Sequence, residues 1–305
     1  MNVPLVAALA AAGLVVGWFL RGVIFWYAVP AGAAPARTCP RCGDQILAAG
    51  RLPRPAVSSS GQPTLPAVSR SGPPARDAVS PSGPPARDAV SPSGPPPGPA
   101  VSRVGRLPRL AVSPFGRCPA CQARIGPPPL VVELVTAALF GGLAARVHPA
   151  LVLAAACWLA GCAVALAWID AAVQRLPDAL TAPAYAGTVA FLLLAAAVGG
   201  HWRDLLRAVL GGLALAVAYL ILVVVSRSAV GLGDAKLAAS LGTLTAWPGW
   251  PTLIAGAFAG FLLGAIYGVG LLVSRRAHRG QHIPFGPFMI AGAFLALLAS
   301  SAASS

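Results

Sequence analysis

Eight separate apolar runs divide this 305-residue sequence and restrict the class of fold that it can adopt. Most approach the length of about 20 residues that an α-helix needs to cross a bilayer. Hydrophobic residues make up 57% of the chain and charged residues only 10%, whereas soluble domains are roughly 25% charged. We therefore predict an all-α polytopic membrane protein with about eight transmembrane helices, at 3–28, 130–146, 150–168, 180–198, 205–225, 235–247, 252–273 and 287–302.

The positive charge is concentrated in one hydrophilic segment, 31–129, which carries twelve Arg and three Asp. Arg-rich loops remain on the cytoplasmic side of a membrane, so this segment is predicted to be cytoplasmic. Residues 1–30 lack a basic region before their apolar run and are interpreted as an uncleaved first transmembrane helix. Residues 130–305 then form a membrane core of about seven helices. Because the basic excess adjoins membrane spans, we expect no nucleic acid among the partners.

Near-copies of an eleven-residue unit begin with Ala-Val-Ser at positions from Ala56 to Ala111. Pro, Gly and Ser predominate in these repeats, and such a composition cannot bury enough apolar area to offset the entropy lost on ordering. We predict that about 56–113 is a disordered insert. The alternative is a Pro-rich docking strand, because Pro-Ser-Gly-Pro at 81–84 and 92–95 fits a minimal PxxP pattern.

Two CxxC pairs flank the repeats, Cys39 with Cys42 and Cys118 with Cys121. Two such turns can present four thiolates tetrahedrally to Zn²⁺, as in a zinc ribbon. The long loop between the pairs does not prevent this, since a fourfold longer loop costs only about 1 kcal/mol more to close. We predict a small zinc-ribbon-like cytoplasmic loop with a structural Zn²⁺. A redox role or no joint role remain the alternatives.

Acidic side chains are rare in the membrane half. Because a charge inside a bilayer is energetically costly, each acidic residue near a span is examined for a structural or functional role. Asp178 follows Pro177 and is expected to cap the fourth span, because Asp is a favoured N-cap residue. Asp170 has no such role at the end of the third span, where a negative charge is mildly unfavourable. For Asp234, after two nearby glycines, capping and catalysis are equally supported by the residues alone. Lys236 could partly neutralise Asp234 or bind a lipid headgroup.

The predicted topology favours catalysis, because it places Asp170 and Asp234 at the same depth on the same membrane face. Two carboxylates that share a site can act as general base and general acid on one water molecule, which is the chemistry of aspartyl proteases. Glu133 is given a structural role, since an acidic residue is favourable at the N-terminus of the second span.

These motifs, taken in order, resemble the type IV prepilin peptidases, or leader peptidases, of the GxGD class of membrane aspartyl proteases. The CxxC pairs come first, followed by Pro-Leu-Val-Val-Glu-Leu-Val-Thr at 129–136. Asp170 with Leu-Pro-Asp at 176–178 resembles the first aspartate motif, and Gly-Leu-Gly-Asp-Ala-Lys at 231–236 resembles the second. Pro-Phe-Gly-Pro at 284–287 resembles the segment before the last span of the family.

The resemblance implies that Asp170 and Asp234 are the catalytic pair and that the four cysteines are zinc-type ligands. It implies an inner-membrane protease whose active site faces the cytoplasm and removes basic leaders from prepilins or pseudopilins. Many members also methylate the new N-terminus, with S-adenosylmethionine as donor. One departure is Arg21, which stands where the family usually has Asn. The alternative is a non-enzymatic membrane assembly or transport component that uses its zinc ribbon for docking.

Overall fold

The computed structural model describes residues 3–29, 39, 41–42, 117–118, 121–123, 126–128, 130–226, 231–274 and 284–300. Within these ranges all of the regular structure is helical, apart from an isolated bridge at Arg117. Each predicted run corresponds to one helix. The helices are α1 Val3–Tyr27, α2 Val131–Arg146, α3 Ala150–Val173, α4 Asp178–Gly199, α5 Trp202–Ser226, α6 Leu232–Ala246, α7 Trp250–Val273 and α8 Gly286–Ser300.

The helices belong to one compact unit made of Met1–Ala48 and Leu110–Ser305. The predicted insert at 56–113 lies outside the described residues. The boundaries of the predicted segments 1–30, 31–129 and 130–305 stay predictions.

Helix length separates the eight helices into two groups. Among the described residues, α1, α3, α4, α5 and α7 are long and apolar enough to cross a membrane. The other three, α2, α6 and α8, have 16, 15 and 15 residues, whereas a straight span needs about 20. The chain therefore has the character of a multi-pass helical membrane protein, and crossing by all eight helices stays a prediction.

The first two helices pack closely because small residues lie at their contact. A Cβ atom added to Gly13 would lie 2.7 Å from the Cα atom of Ala137, and one added to Gly17 would lie 2.5 Å from the Cα atom of Glu133. Small residues let helix backbones approach in this way in membrane proteins, where packing replaces the hydrophobic effect between helices. The long segment between α1 and α2 thus leaves from and returns to two helices in direct contact.

A buried ion pair joins the same two helices. Arg21 Nη1 donates to Glu133 Oε1 at 3.0 Å, and the side chains are only 3% and 8% exposed. Glu133 does lie in the first turn of α2, as the structural interpretation expected. The pairing with Arg21 was not predicted, because the sequence does not show which faces of α1 and α2 meet.

The two helices with the most buried side chains are α3 and α6. In α3, 67% of the most apolar window is buried, against 11–28% for the other four long helices. In α6, buried residues run almost without interruption from Asp234 to Ala246. Each of these interior helices carries one of the two predicted catalytic aspartates.

Candidate active site

Asp170 and Asp234 are brought together by the ends of the two interior helices. Asp170 lies in the last turn of α3, which continues to Val173, and Asp234 lies in the first turn of α6. Both residues are buried, and the two carboxyl groups are close enough to interact electrostatically. The shared depth predicted from topology thus corresponds to proximity in the fold.

The start of α8 fixes the orientation of Asp170. The backbone N–H of Gly286 donates to Asp170 Oδ2 at 3.0 Å. A Cβ atom at Gly286 would lie 2.8 Å from the same oxygen, so any larger residue would press on the carboxylate. Gly286 belongs to the Pro-Phe-Gly-Pro segment, whose contact with Asp170 was not predicted because the two are 116 residues apart.

Asp234 is oriented by its own helix terminus. The N-cap of α6 is Gly231, and its backbone N–H donates to Asp234 Oδ2 at 3.1 Å. This is the reciprocal half of a capping box, made by the third helical residue. The expectation that Asp234 is itself the N-cap is therefore wrong, although its carboxylate does serve the helix end. The same group is buried and interacts electrostatically with Asp170, so its contact with the helix end is compatible with the catalytic role, which stays a prediction.

The predicted cap at Asp178 is wrong as well. The N-cap of α4 is Pro177, without a side-chain cap hydrogen bond, and Asp178 is the first helical residue. Asp178 Oδ1 instead accepts from Lys236 Nζ at 2.6 Å. Lys236 thus pairs with Asp178 and not with Asp234, one of the two partners that its position in the sequence allowed. The pair links the starts of α4 and α6, and Lys236 follows Asp234 by two residues.

A further contact places the glycine turn of α6 against the segment that follows α3. A Cβ atom at Gly233 would lie 2.8 Å from the Cβ atom of Leu176. Glycine is therefore needed at position 233 for close approach. The arrangement holds two buried carboxyl groups within electrostatic reach of each other, each with one oxygen fixed by a backbone N–H. Such a pair can share a proton and act on a water molecule as base and acid.

The four predicted cysteines also come together. The sulfur atoms of Cys39, Cys42, Cys118 and Cys121 all lie within 4.8 Å of one another. Two of the separations, 3.7 Å for Cys39–Cys121 and 3.6 Å for Cys42–Cys118, cross between the pairs. Four thiolates around Zn²⁺ at about 2.3 Å would stand about 3.8 Å apart in a tetrahedron. The cluster therefore fits a tetrahedral metal site.

Local backbone geometry prepares these thiols for metal binding. Hydrogen bonds from the backbone at Arg41 and Cys42 lower the pKa of the Cys39 thiol to about 7, which favours the thiolate that metals bind. In the second pair, Cys118 N–H donates to the Ala123 carbonyl, and Gln122 adopts a left-handed φ of 58°. The described residues of both pairs thus direct their sulfur atoms toward one point.

Comparisons with known proteins agree with this geometry. A family model described as the type IV leader peptidase family matches residues 157–269. This range contains both aspartates and the glycine turn before Asp234. It excludes the four clustered cysteines and the first two helices. No solved structure matches the chain at a significant level.

Several curated relatives are named prepilin leader peptidase/N-methyltransferase. The chain is 38% identical to one from Aeromonas salmonicida over 186 residues, which is 58% of this chain and 60% of the relative. It is 38% identical to one from Pseudomonas aeruginosa over 194 residues, or 59% and 61%. The chain thus matches about three fifths of the length of these relatives. Over these ranges the chain is similar to the type IV leader peptidase family and to relatives named prepilin leader peptidase/N-methyltransferase.

Proposed function

We propose that this protein is a membrane aspartyl endopeptidase that removes leader peptides from type IV prepilin or pseudopilin-like precursors. The observation that carries the proposal is the buried pair of Asp170 and Asp234. Both carboxyl groups lie at helix ends, and each is oriented by one backbone N–H, from Gly286 and Gly231 respectively. Burial side by side makes it unfavourable for both to be ionised at once, so one proton is retained between them.

The proposed reaction uses this shared proton. The ionised carboxylate takes a proton from a water molecule, and the water oxygen attacks the scissile carbonyl carbon. The protonated carboxyl group of the other aspartate donates to the carbonyl oxygen. Collapse of the tetrahedral intermediate breaks the C–N bond, and the proton held by the first aspartate passes to the leaving amine. One hydroxyl of the intermediate returns its proton to the second aspartate, which leaves a carboxylic acid product and restores the starting protonation of the pair. The backbone N–H groups of Gly231 and Gly286 keep the two carboxyl groups in a fixed orientation while the protons are transferred.

The setting of the reaction follows from the family and from the charge pattern. We place the protein in the inner membrane with the aspartates facing the cytoplasm, because the Arg-rich segment 31–129 is expected on that side. The substrates are then precursors anchored in the same bilayer. The four cysteines hold a structural Zn²⁺, which supplies the bonds that keep the two CxxC turns together.

N-methylation of the new N-terminus, with S-adenosylmethionine, is proposed as a second activity. The names of the relatives support it. The Arg21 that replaces the usual Asn argues against it. Mass spectrometry of the mature product distinguishes the cases, since methylation adds one methyl group to the new terminal residue.

Leader cleavage tests the main proposal directly. The full chain is co-expressed with a pilin-like precursor, and the shift to the mature size is followed on a gel. Asp170→Asn and Asp234→Asn are each expected to lower the cleavage rate by about 10²–10⁴-fold, the usual contribution of general acid–base groups. Asp204→Asn is the matched control, because Asp204 lies in α5 and pairs with Arg207 outside the site.

Retained cleavage in either aspartate variant would contradict the assignment, provided that membrane insertion of each variant is equal by blot. If the cysteines proved essential to pilus or secretion assembly while both aspartates were dispensable, the non-enzymatic docking function would replace the protease.

A further inference from the structure

Tyr219 of α5 carries a buried hydroxyl group that the proposed reaction does not use. From Ala208 to Val225, it is the only side chain of α5 with a polar atom. The residue is nevertheless turned into the protein, because Tyr219 is only 3% exposed whereas the next residue, Leu220, is 45% exposed. Burying a hydroxyl group costs free energy unless it gains a hydrogen-bond partner. The position of Tyr219 therefore indicates a partner inside the protein.

Two phenylalanine rings restrict the Tyr219 ring. The ring of Phe261 on α7 stacks against it, with the centroids 5.7 Å apart and an interplanar angle of 17°. The ring of Phe285 lies 6.0 Å from Tyr219 and 5.2 Å from Phe261, so the three rings form one cluster. Such ring contacts favour particular relative orientations. The hydroxyl group of Tyr219 is therefore held in one region of the fold.

This aromatic cluster adjoins the residue that orients Asp170. Phe285 directly precedes Gly286, whose backbone N–H donates to Asp170 Oδ2 at 3.0 Å. The carbonyl oxygen of Phe285 also accepts the first backbone hydrogen bonds of α8. Tyr219 therefore packs against the helix start that holds the first aspartate.

Tyr219 is also close to the second aspartate. Its helix packs directly on α6, since a Cβ atom at Gly212 would lie 2.8 Å from the carbonyl oxygen of Ala239. Across this contact, the phenol group of Tyr219 and the carboxyl group of Asp234 are close enough to interact electrostatically. Tyr219 is thus linked to both aspartates, to Asp170 through Phe285 and to Asp234 directly.

The hydroxyl group is available to a reacting molecule. In the part of the chain that the structure describes, no protein group forms a hydrogen bond with it. Buried hydroxyl groups nearly always have a partner, which is either a protein group or water. A phenol is protonated at neutral pH and can donate to such a partner. The partner expected for Tyr219 is a water molecule or a substrate oxygen beside Asp234.

The proposed reaction brings two oxygen atoms to the aspartates, and only one of them benefits from a donor. The attacking water needs its lone pair for the carbonyl carbon, and a hydrogen bond donated to that lone pair would weaken the nucleophile. The scissile carbonyl oxygen instead gains negative charge as the new bond forms. A fixed donor in a buried site stabilises such a charge strongly. The chemistry therefore favours the carbonyl oxygen as the partner.

We infer that Tyr219 is a third catalytic residue, whose hydroxyl group donates a hydrogen bond to the scissile carbonyl oxygen beside Asp170 and Asp234. This inference rests on the proposed protease function. The aspartate that holds the shared proton still transfers it to this oxygen, and Tyr219 keeps its own proton throughout. No covalent bond to Tyr219 forms or breaks, so the proton balance of the aspartate pair is unchanged.

Removing only the hydroxyl group tests the inference. In Tyr219→Phe, the ring can keep its contacts with Phe261 and Phe285. We expect kcat for a pilin-like precursor to fall about 10²-fold, the usual loss of one such donor, and KM to change less than about twofold. Tyr267→Phe is the matched control, because Tyr267 also contacts a phenylalanine of α8, at 5.2 Å, but is 46% exposed. Its kcat should stay within about twofold of the wild-type value.

Three kinetic outcomes would overturn the inference and leave the protease assignment intact. The first is an unchanged kcat in Tyr219→Phe. The second is a higher KM at unchanged kcat, because the hydroxyl group would then bind the substrate before the reaction. The third is a loss of kcat that accompanies unfolding at a clearly lower SDS fraction in mixed micelles, because the hydroxyl group would then serve packing.

Binding of a transition-state analogue gives a readout that does not require cleavage. A peptide with a difluoroketone at the scissile position is hydrated to a gem-diol and presents both oxygen atoms of the tetrahedral intermediate. Its Kd should be about 10²-fold higher for Tyr219→Phe than for the wild type, and unchanged for Tyr267→Phe. Equal Kd values for the wild type and Tyr219→Phe would overturn the inference.

Failure of the proposed function has a different signature. The wild type would then neither cleave the precursor nor bind the difluoroketone peptide, and the inference would fail with it. Cleavage by the wild type, combined with full activity of Tyr219→Phe, would instead reject the inference alone.

Discussion

The four cysteines and the two aspartates form two centres that are held together in different ways. The cysteine centre consists of two CxxC pairs whose sulfur atoms meet at 3.6–3.7 Å across a 75-residue gap in the sequence. The aspartate centre consists of helix ends, with each carboxylate bound by a backbone N–H. We expect the first centre to depend on a metal ion that bridges the two pairs, whereas the second is held by helix packing.

This difference means that the two centres should be separable by mutation. Structural zinc sites supply roughly 10–16 kcal/mol in small peptides, so a bound metal can hold the cysteine turns without help from the helices. The aspartates receive their hydrogen bonds from α6 and α8, and no described cysteine of the cluster contacts them. Removing the metal should therefore leave the aspartates in place.

The largest expected effect is on metal content. Cys39→Ser combined with Cys118→Ser removes one ligand from each turn, and bound zinc should fall from about one equivalent per chain to none. Leader cleavage should fall by less than about tenfold, because the aspartates keep their backbone donors. Elemental analysis and the gel assay measure the two quantities on the same preparation.

The matched control is Cys157→Ser in α3, a cysteine outside the cluster, which should keep the metal. Loss of cleavage as complete as in Asp234→Asn would contradict the separation of the two centres.

A medium effect is expected at the ion pair that joins the helices flanking the cysteine segment. Arg21→Met leaves the buried Glu133 carboxylate without its cation, and such changes cost about 3–5 kcal/mol. We expect unfolding at a clearly lower SDS fraction in mixed micelles. The double variant Arg21→Met with Glu133→Leu should recover most of the loss, because both charges are then absent. A double variant no more stable than the single one would show that the pair is not the cause.

The smallest effect is expected at the exposed ion pair near the aspartates. The side chains of Lys236 and Asp178 are 54% and 72% exposed, and such pairs contribute less than about 1 kcal/mol. Lys236→Met should shift unfolding only slightly, and the shift should shrink as salt is added. A loss as large as that of Arg21→Met would mean that this pair organises the helix starts around the aspartates.

Much of the fold could be predicted because the hydrophobicity and the length of a segment are properties of its own residues and do not depend on distant contacts. The apolar runs and the helices agree in number and order, and most boundaries differ by no more than three residues. The predicted end of α3 lies five residues before the observed one, because Asp170 interrupts the apolar run two residues after Trp168. Buried in the fold, Asp170 is accommodated as part of the helix.

Errors occurred where a polar side chain had more than one possible partner. Asp178 and Asp234 were both compatible with an N-cap, since Asp near a glycine or proline commonly caps a helix. The structure gives these caps to Pro177 and Gly231 and directs Asp178 to Lys236. Side-chain preference alone does not indicate whether a distant cation will compete for the same carboxylate.

Spacing and hydrophobicity determined the helical class and the sequence of helices, and together with the charge pattern they singled out the two sets of candidate site residues. A CxxC spacing forms a turn, and an apolar run forms a helix, wherever either occurs in the chain. Tertiary packing alone decided which backbone N–H orients Asp170 and which residue neutralises Glu133. These features join residues more than 100 positions apart, and such contacts arise only when helices select their neighbours through complementary shape and charge.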